Sequence, residues 1–345
     1  MLDRRSTLGG IGGLLGSALL SVPAAARPAT KPPRLRPGDT VGLIAPASPD
    51  SEPLHLEAVQ DTIRGMGLVP KFGQHAADTF GYLAGTDKDR AADIHAMFAD
   101  RTVRAIFTLR GGWGSARLLP LLDWGLIRAN PKLLVGFSDV TALHLAFAAR
   151  AGFATIHAPN AANHWDVTSW NSFWRLAFSG ETPLLGGMAG DDTTPAARIT
   201  TIRPGEASGR LLGGNLTVLS TLMGTPWLPD FDGAILFLED VGEAEYRIDR
   251  MLNQLALAGV LGKVAGVIFG RCSRCTIGLP DYAGFTMPQI LDQYLAPLGV
   301  PVFADANIGH IRDQLSLPVG ALVRMDADAG TIQLLEPIVA SLRHE

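Results

Sequence analysis

Cysteine is the scarcest chemistry in this chain, with two residues in 345, at positions 272 and 275. So few exclude a disulfide scaffold and a four-cysteine zinc site. Charge is thin as well: 18% of residues are Asp, Glu, Lys or Arg, and the formal net charge is −4. That balance argues against a basic nucleic-acid-binding surface. No glycine period or heptad repeat runs through the chain, which removes collagen and coiled-coil architectures. The zinc-protease pattern H-E-x-x-H and the phosphate-loop pattern G-x-x-x-x-G-K-[ST] do not occur, and Gly112-Trp113-Gly114 lacks the third glycine of a dinucleotide loop. The esterase elbow G-x-S-x-G fails around Ser138, where Val140 and Thr141 follow Asp139. What remains is a chain that is 47% hydrophobic, too apolar for disorder and long enough for one large or two medium cores.

Residues 1–26 are set apart from the rest. Arg4-Arg5 precede an apolar, glycine-rich stretch from Leu8 to Val22, and Ala24-Ala25-Ala26 supply a small-residue cleavage site. The stretch is short for a bilayer span. The order of features reads as an export signal of the twin-arginine type, although Asp3 and Thr7-Leu8-Gly9 depart from the usual pattern. The expected location is the periplasm. Cleavage would remove Arg4, Arg5 and Asp3, moving the formal charge from −4 to −5. Cys272 and Cys275 then face an oxidising compartment, as a bonded pair or as two thiols, with no thioredoxin-like start around them.

Downstream, 27–37 reads as a Pro- and Arg-rich linker, 38–165 as an N-terminal α/β domain, 166–205 as an interdomain connection and 206–340 as a C-terminal domain. Apolar runs at 40–45, 103–109 and 133–135 alternate with helical spacing at 54–66, 86–98 and 140–150. Such alternation predicts a parallel sheet covered on both faces. In the second half, strands are expected at 235–238, 264–269 and 301–304, helices at 246–261 and 288–298, and a strand over 317–325 closing a small mixed sheet.

Ligands of open α/β sheets bind beyond the carboxyl ends of the strands. Three such ends carry the groups of nucleophilic acyl transfer: Gly136-Phe137-Ser138-Asp139, Leu238-Glu239-Asp240 and Gly309-His310. A serine hydroxyl needs a base in contact with it, and a carboxylate fixes the tautomer of a neutral histidine. Ser138, His310 and Glu239 fit those roles. The Gly111-Gly112 turn and the N–H of Asp139 fit an oxyanion hole. Periodicity alone does not select this trio. Ser138 equally suits a helix N-cap, Glu239 a strand-end acid and His310 a turn, while His95 and His144 lie in helices where a structural role is the default.

Several separated blocks, in order, break that tie. They are Arg110-Gly111-Gly112-Trp113-Gly114-Ser115-Ala116-Arg117, Gly136-Phe137-Ser138-Asp139, Gly213-Gly214-Asn215-Leu216, Gly224-Thr225-Pro226-Trp227, Leu238-Glu239-Asp240-Val241, the RIDRMLNQLALAG run from Arg247, and Gly309-His310 with Leu317-Pro318-Val319-Gly320. Together they resemble the LD-carboxypeptidase family of serine peptidases, which also holds microcin C self-immunity peptidases. The resemblance implies a nucleophile at Ser138, a charge-relay acid at Glu239 and a base at His310. It implies a flavodoxin-like N-terminal sheet, a C-terminal α/β domain with a small β-barrel-like sheet, and a homodimer, with no metal or cofactor. The implied reaction removes the terminal D-Ala that follows meso-diaminopimelate in the murein tetrapeptide. Many members work in the cytoplasm, so the export signal is a departure.

A carboxypeptidase must grip a terminal carboxylate, and Arg110, Arg117, Arg247 and Arg271 are the candidates for that bidentate contact. Asn215 is the candidate substrate-facing amide, with a turn-stabilising role as its competitor. A microcin-like conjugate hydrolase and an exported, non-catalytic wall-peptide-binding protein are the alternative functions.

Overall fold

The computed structural model describes residues 31–187, 199–276 and 283–341; the segment at 1–26 lies outside the described residues. In the first half strands and helices alternate: β1 (Thr40–Ile44), α1 (Pro53–Gly65), β2 (Val69–Phe72), α2 (Asp87–Ala99), β3 (Val103–Thr108), α3 (Trp124–Ala129), β4 (Leu133–Gly136), α4 (Thr141–Arg150), β5 (Thr155–His157) and α5 (Val167–Ala177). The second half continues with β6 (Leu184–Gly186), β7 (Thr200–Arg203), β8 (Glu206–Asn215), α6 (Leu216–Thr221), β9 (Ile235–Val241) and α7 (Glu245–Leu257). It ends with β10 (Gly266–Ser273), α8 (Met287–Leu295), β11 (Val302–Ala306), β12 (Leu317–Val319), β13 (Leu322–Asp326) and β14 (Thr331–Leu334).

Local chemistry accounts for these elements. β1 is buried from Val41 to Ile44, a continuous apolar run of the kind that a sheet covered on both faces requires. α2 starts where the Thr86 hydroxyl accepts the Asp89 N–H, with Asp87 and Asp89 at the positive end of the helix. α7 buries Ile248, Met251, Leu252 and Leu255 on one face.

The first sheet has the order β12-β5-β4-β3-β1-β2, and β1 to β5 run parallel. This is the doubly wound, flavodoxin-like order, with its switch point between β1 and β3. There the loops after both strands meet, the Ser48 N–H donating to the Gly111 carbonyl at 3.3 Å. The second, mixed sheet runs β6-β14-β13-β8-β9-β10-β11-β7 and curls as a half-barrel. β8 serves two ladders: Glu206–Arg210 pairs antiparallel with β13, and Leu211–Asn215 pairs parallel with β9.

Two segments depart from the expected layout. The single strand expected over 317–325 is two. β12 joins the first sheet, antiparallel to β5, and only after Gly320 does the chain enter the second sheet as β13. Pro318 lacks an amide hydrogen and is accommodated because β12 is an edge strand. The segment 166–205 contributes α5, β6 and β7. α5 seals the first sheet, with Phe173 fully buried against Phe107 and Trp165.

The lobes lock at the start of α4. Gly213 and Gly214 have φ of 143° and 134°, and a Cβ on Gly214 would collide with the Thr141 side chain. That close approach lets the Asn215 N–H donate to Thr141 Oγ1 at 2.9 Å. Beneath this seam, His144 of α4 is fully buried, and burial pushes its imidazole down to about 4. It is therefore neutral, with Nε2 2.8 Å from the Gly136 carbonyl and Nδ1 2.7 Å from Thr155 Oγ1. Nε2–H donates to the carbonyl, and Nδ1 accepts the threonine hydroxyl. The end of β4 is thus clamped just before the turn that carries Ser138.

Gly214→Ala forces a side chain into the seam at a φ suited to glycine, and should cost about 1–3 kcal/mol in urea unfolding. The buried His144 predicts a pH effect of definite sign. Its folded pKa lies below the unfolded value of 6.5, so the unfolded chain binds the extra proton between those limits. Stability should fall as pH drops from 6.5 toward 4, by up to about 1.4 kcal/mol per pH unit from this group. His144→Gln should lose that share of the slope in unfolding curves compared across the range.

Candidate active site

β4 ends at Gly136 because nothing larger fits: a Cβ there would strike Thr108 Oγ1 and Asn160 Oδ1. Asn160 Oδ1 accepts from Thr108 Oγ1 at 2.6 Å and from the Phe137 N–H at 3.2 Å, which fixes the next peptide. The chain then turns through Ser138, whose φ of 67° is left-handed. For a serine this strain costs on the order of 1–2 kcal/mol. A short 3₁₀ turn at Ser138–Val140 leads directly into α4. Ser138 therefore sits at a helix N-terminus, where the aligned peptide dipoles favour negative charge.

Across the lobe interface, β9 presents Glu239 with no exposed surface, and β11 leads to Gly309-His310. His310 Nδ1 lies 2.8 Å from Glu239 Oε2, and His310 Nε2 lies 3.0 Å from Ser138 Oγ. A carboxylate only accepts, so Nδ1 carries the proton and the Nε2 lone pair faces the serine. Oε1 of Glu239 has no hydrogen-bond partner among the described residues. The carboxylate is thus directed at the imidazole alone. The contact between His310 and Glu239 depends on Gly309, because a Cβ there would lie 2.8 Å from both Cβ and Oε2 of Glu239. The histidine backbone is anchored by Ser273 Oγ, which donates to the His310 carbonyl at 2.9 Å, and its ring packs on Phe137 at 4.7 Å between centroids. The following loop is pinned to α5, where the Asp313 N–H donates to Asp166 and Ser316 Oγ to the Ser169 carbonyl.

Ser138, Glu239 and His310, far apart along the chain, are thus brought into one hydrogen-bonded line. Gly112 borders Ser138 in two adjoining clefts, and Asp139 borders it in the second. The Asp139 carboxylate is engaged elsewhere, accepting from the Ser115 N–H at 2.8 Å and lying 2.6 Å from Ser115 Oγ. It ties the glycine-rich turn after β3 to the serine turn. A Cβ on Gly111 would come within 2.9 Å of Ser138 Cβ. Asn215 lines the second cleft with its side chain occupied: Oδ1 caps α6 by accepting the Val218 N–H, and Nδ2 donates to Asp240. Of the four arginines, Arg110 borders the cleft shared by Ser138 and His310. Arg117 borders the second cleft but is bonded twice to Asp87; Arg247 pairs with Glu243; Arg271 borders a separate cavity beside Cys272. Cys272 and Cys275 are bonded to each other. Asn160 escaped the reading of the sequence, although it follows β5 at a strand end, where the rule that selected Ser138 applies equally. Gly309 was visible only as the neighbour of His310.

Residues 41–158 match the LD-carboxypeptidase N-terminal domain, and residues 208–325 match the LD-carboxypeptidase C-terminal domain. The chain is 36% identical over 265 residues to a probable murein peptide carboxypeptidase of Bacillus subtilis, covering 77% of this chain and 82% of that protein. It is 35% identical to the murein tetrapeptide carboxypeptidase of Pseudomonas aeruginosa, covering 68% and 77%, and 30% identical to the microcin C7 self-immunity protein MccF of Escherichia coli, covering 68% and 76%. Among solved structures, MccF bound to glutamyl sulfamoyl guanosine superposes with a TM-score of 0.81 at 24% identity, covering 90% of this chain and 99% of that one, a likeness of fold. The muramoyltetrapeptide carboxypeptidase of Oxalobacter formigenes gives 0.74 at 29% identity, covering 86% and 97%. With both of its lobes matched and a serine turn set between them, the chain belongs to the LD-carboxypeptidase family and is a serine-type peptidase.

Proposed function

We propose that this peptidase hydrolyses the L,D bond before the terminal D-Ala of murein tetrapeptides, with Ser138 as nucleophile, His310 as base and Glu239 as its orienting acid. The observation that carries the proposal is the continuous line from Ser138 Oγ through His310 to the buried Glu239. In this mechanism Nε2 takes the hydroxyl proton as Oγ bonds to the scissile carbonyl carbon. The N–H groups of Gly112 and Asp139 receive the oxyanion. His310 then returns the proton to the departing amine as the C–N bond breaks, and water hydrolyses the acyl-enzyme by the same route. Because the amine takes its proton from His310, the leaving D-Ala occupies the cleft of about 350 Å³ that His310 shares with Arg110. Arg110 is the cation for its carboxylate.

Names of relatives support a murein peptide as substrate. The 30% identity to MccF keeps a peptide-conjugate substrate as the second reading. A non-catalytic binding protein has no use for a strained serine held 3.0 Å from an imidazole. We place the enzyme in the periplasm as a homodimer, on the strength of Arg4-Arg5, the apolar stretch behind them and the family resemblance. A bonded Cys272–Cys275 pair is in keeping with an oxidising compartment.

Ser138→Ala and His310→Ala should each lower kcat for D-Ala release on the order of 10⁵-fold, and the double variant hardly further, since the groups act as one unit. Free D-Ala released undiminished by Ser138→Ala would remove the assigned nucleophile. Fractionation should find a processed protein in the periplasm and an unprocessed Arg4→Lys, Arg5→Lys variant in the cytosol. Unprocessed wild-type protein confined to the cytosol would remove the export reading.

A further inference from the structure

The chain's two cysteines meet at the end of β10, where Cys272 and Cys275 are bonded to each other around Ser273 and Arg274. β10 pairs with β9 in register as far as Phe269, bulges, and resumes with Cys272 opposite Asp240 and Ser273 opposite Val241. A bulge re-aims the groups that follow it. Here the Arg271 N–H donates to the Ile308 carbonyl at 3.0 Å. Ser273 then holds two neighbours. Its carbonyl accepts the Gly242 N–H at 2.8 Å, just past β9, and its Oγ donates to the His310 carbonyl at 2.9 Å. Strand pairing ends there, and Arg274 takes a left-handed φ of 58°, a conformation that is unfavourable for arginine. The bond from Cys275 back to Cys272 closes the loop behind it. Such a cross-link removes conformations that the open chain would sample. It therefore keeps Ser273 against His310.

The bond is open to attack from one side. Cys272 is half-buried, and both cysteines line a cavity of about 570 Å³ together with Arg271, Met287 and Asp305. Arg271 supplies a cation beside the sulfurs, a setting that favours thiolates. Asp305 is engaged by Thr200 Oγ1 at 2.7 Å.

We infer that Cys272–Cys275 is a redox-modification site at which a dithiol lowers turnover by releasing Ser273, the residue that positions His310. A thiolate of the dithiol attacks Cys272 Sγ, the S–S bond breaks, and Cys275 leaves as a thiolate that takes up the proton lost by the attacking thiol. The second thiol then displaces Cys272 from the mixed disulfide. One dithiol is oxidised to a disulfide, and the protein disulfide is reduced to two thiols. Arg274 then relaxes to an ordinary φ, Ser273 withdraws, and the imidazole is no longer held in line with Ser138 and Glu239. This inference rests on His310 acting as the base, as proposed above.

The test compares full-length oxidised enzyme before and after dithiothreitol, with thiols counted by alkylation and mass spectrometry. D-Ala release is followed on L-Ala-γ-D-Glu-meso-diaminopimelate-D-Ala. Reduction should expose both cysteines and lower kcat at least about tenfold with KM within about twofold, since misplacing a base by about 1 Å suffices for such a loss. Reoxidation should restore kcat. The chain holds no other cysteine, so the change traces to this pair. Ser273→Ala should behave as reduced wild type with or without dithiothreitol, and Ser273→Thr, which keeps the hydroxyl, should regain both activity and redox response. Hydrogen exchange gives a readout without turnover. The Ile308 and Ile311 amides, bonded to the Ala306 and Gly309 carbonyls, should exchange at least about tenfold faster after reduction. A pair that stays as thiols after oxidation, a pair that resists dithiothreitol, an unchanged kcat on reduction, or a redox response retained by Ser273→Ala would overturn the inference. Absence of D-Ala release from oxidised wild type would instead overturn the carboxypeptidase reading. Hydrogen exchange would then decide the redox site, with faster exchange on reduction supporting it and unchanged exchange overturning it.

Discussion

A buried carboxylate on one lobe, facing an imidazole that faces a serine on the other, is the constraint around which this molecule is arranged. Glu239 has no exposed surface and directs one oxygen at His310. A buried carboxylate without a partner is costly, so this contact forms only where the lobes meet in register. The surrounding features serve that register. Gly214 lets β8 reach Thr141, Gly309 lets the His310 loop pass against Glu239, and α5 pins the loop that follows. Even β12, contributed by the C-terminal part of the chain, is spent on the first sheet, where it ties the lobes through backbone hydrogen bonds.

The serine turn shows how strain is maintained. A left-handed φ at Ser138 would relax if the flanking peptides were free. They are not free. Gly136 is clamped by His144, Phe137 by Asn160, and Asp139 by Ser115. These are neutral or charge-assisted contacts in a dry environment, where each is stronger than in water. The same environment keeps His144 uncharged, so that it donates to Gly136 and accepts from Thr155. His144, for which a helical position makes a structural role the default, thus supports the turn that carries Ser138.

Parts of this were legible from the chain alone, for a physical reason. Parallel strands buried on both faces have to be apolar runs, and α2 begins at a threonine followed three residues later by an aspartate, so these elements announce themselves locally. The position of Ser138 after such a run, with a helix behind it, also follows from local pattern. What local pattern lacks is pairing. The stretch 317–325 reads as one strand because its apolar residues are continuous, yet Gly320 turns it between two sheets. The tryptophan-rich stretch near 170 reads as a connection, yet α5 packs Phe173 against the sheet. Asn215 reads equally as a substrate amide and as a turn residue, and its bonds to Val218 and Asp240 are visible only when those residues are brought beside it.

The sequence by itself determined the residue types: apolar runs that must pair, glycines where no side chain fits, and an alcohol, an acid and an imidazole at strand ends. Tertiary structure decided which of them meet. Among the described residues it set His310 between Glu239 and Ser138 and distinguished Arg110, which borders the serine cleft, from Arg117, which is bonded to Asp87. Distances between residues separated by as many as 172 positions are set by how two sheets pack, and no local periodicity encodes that.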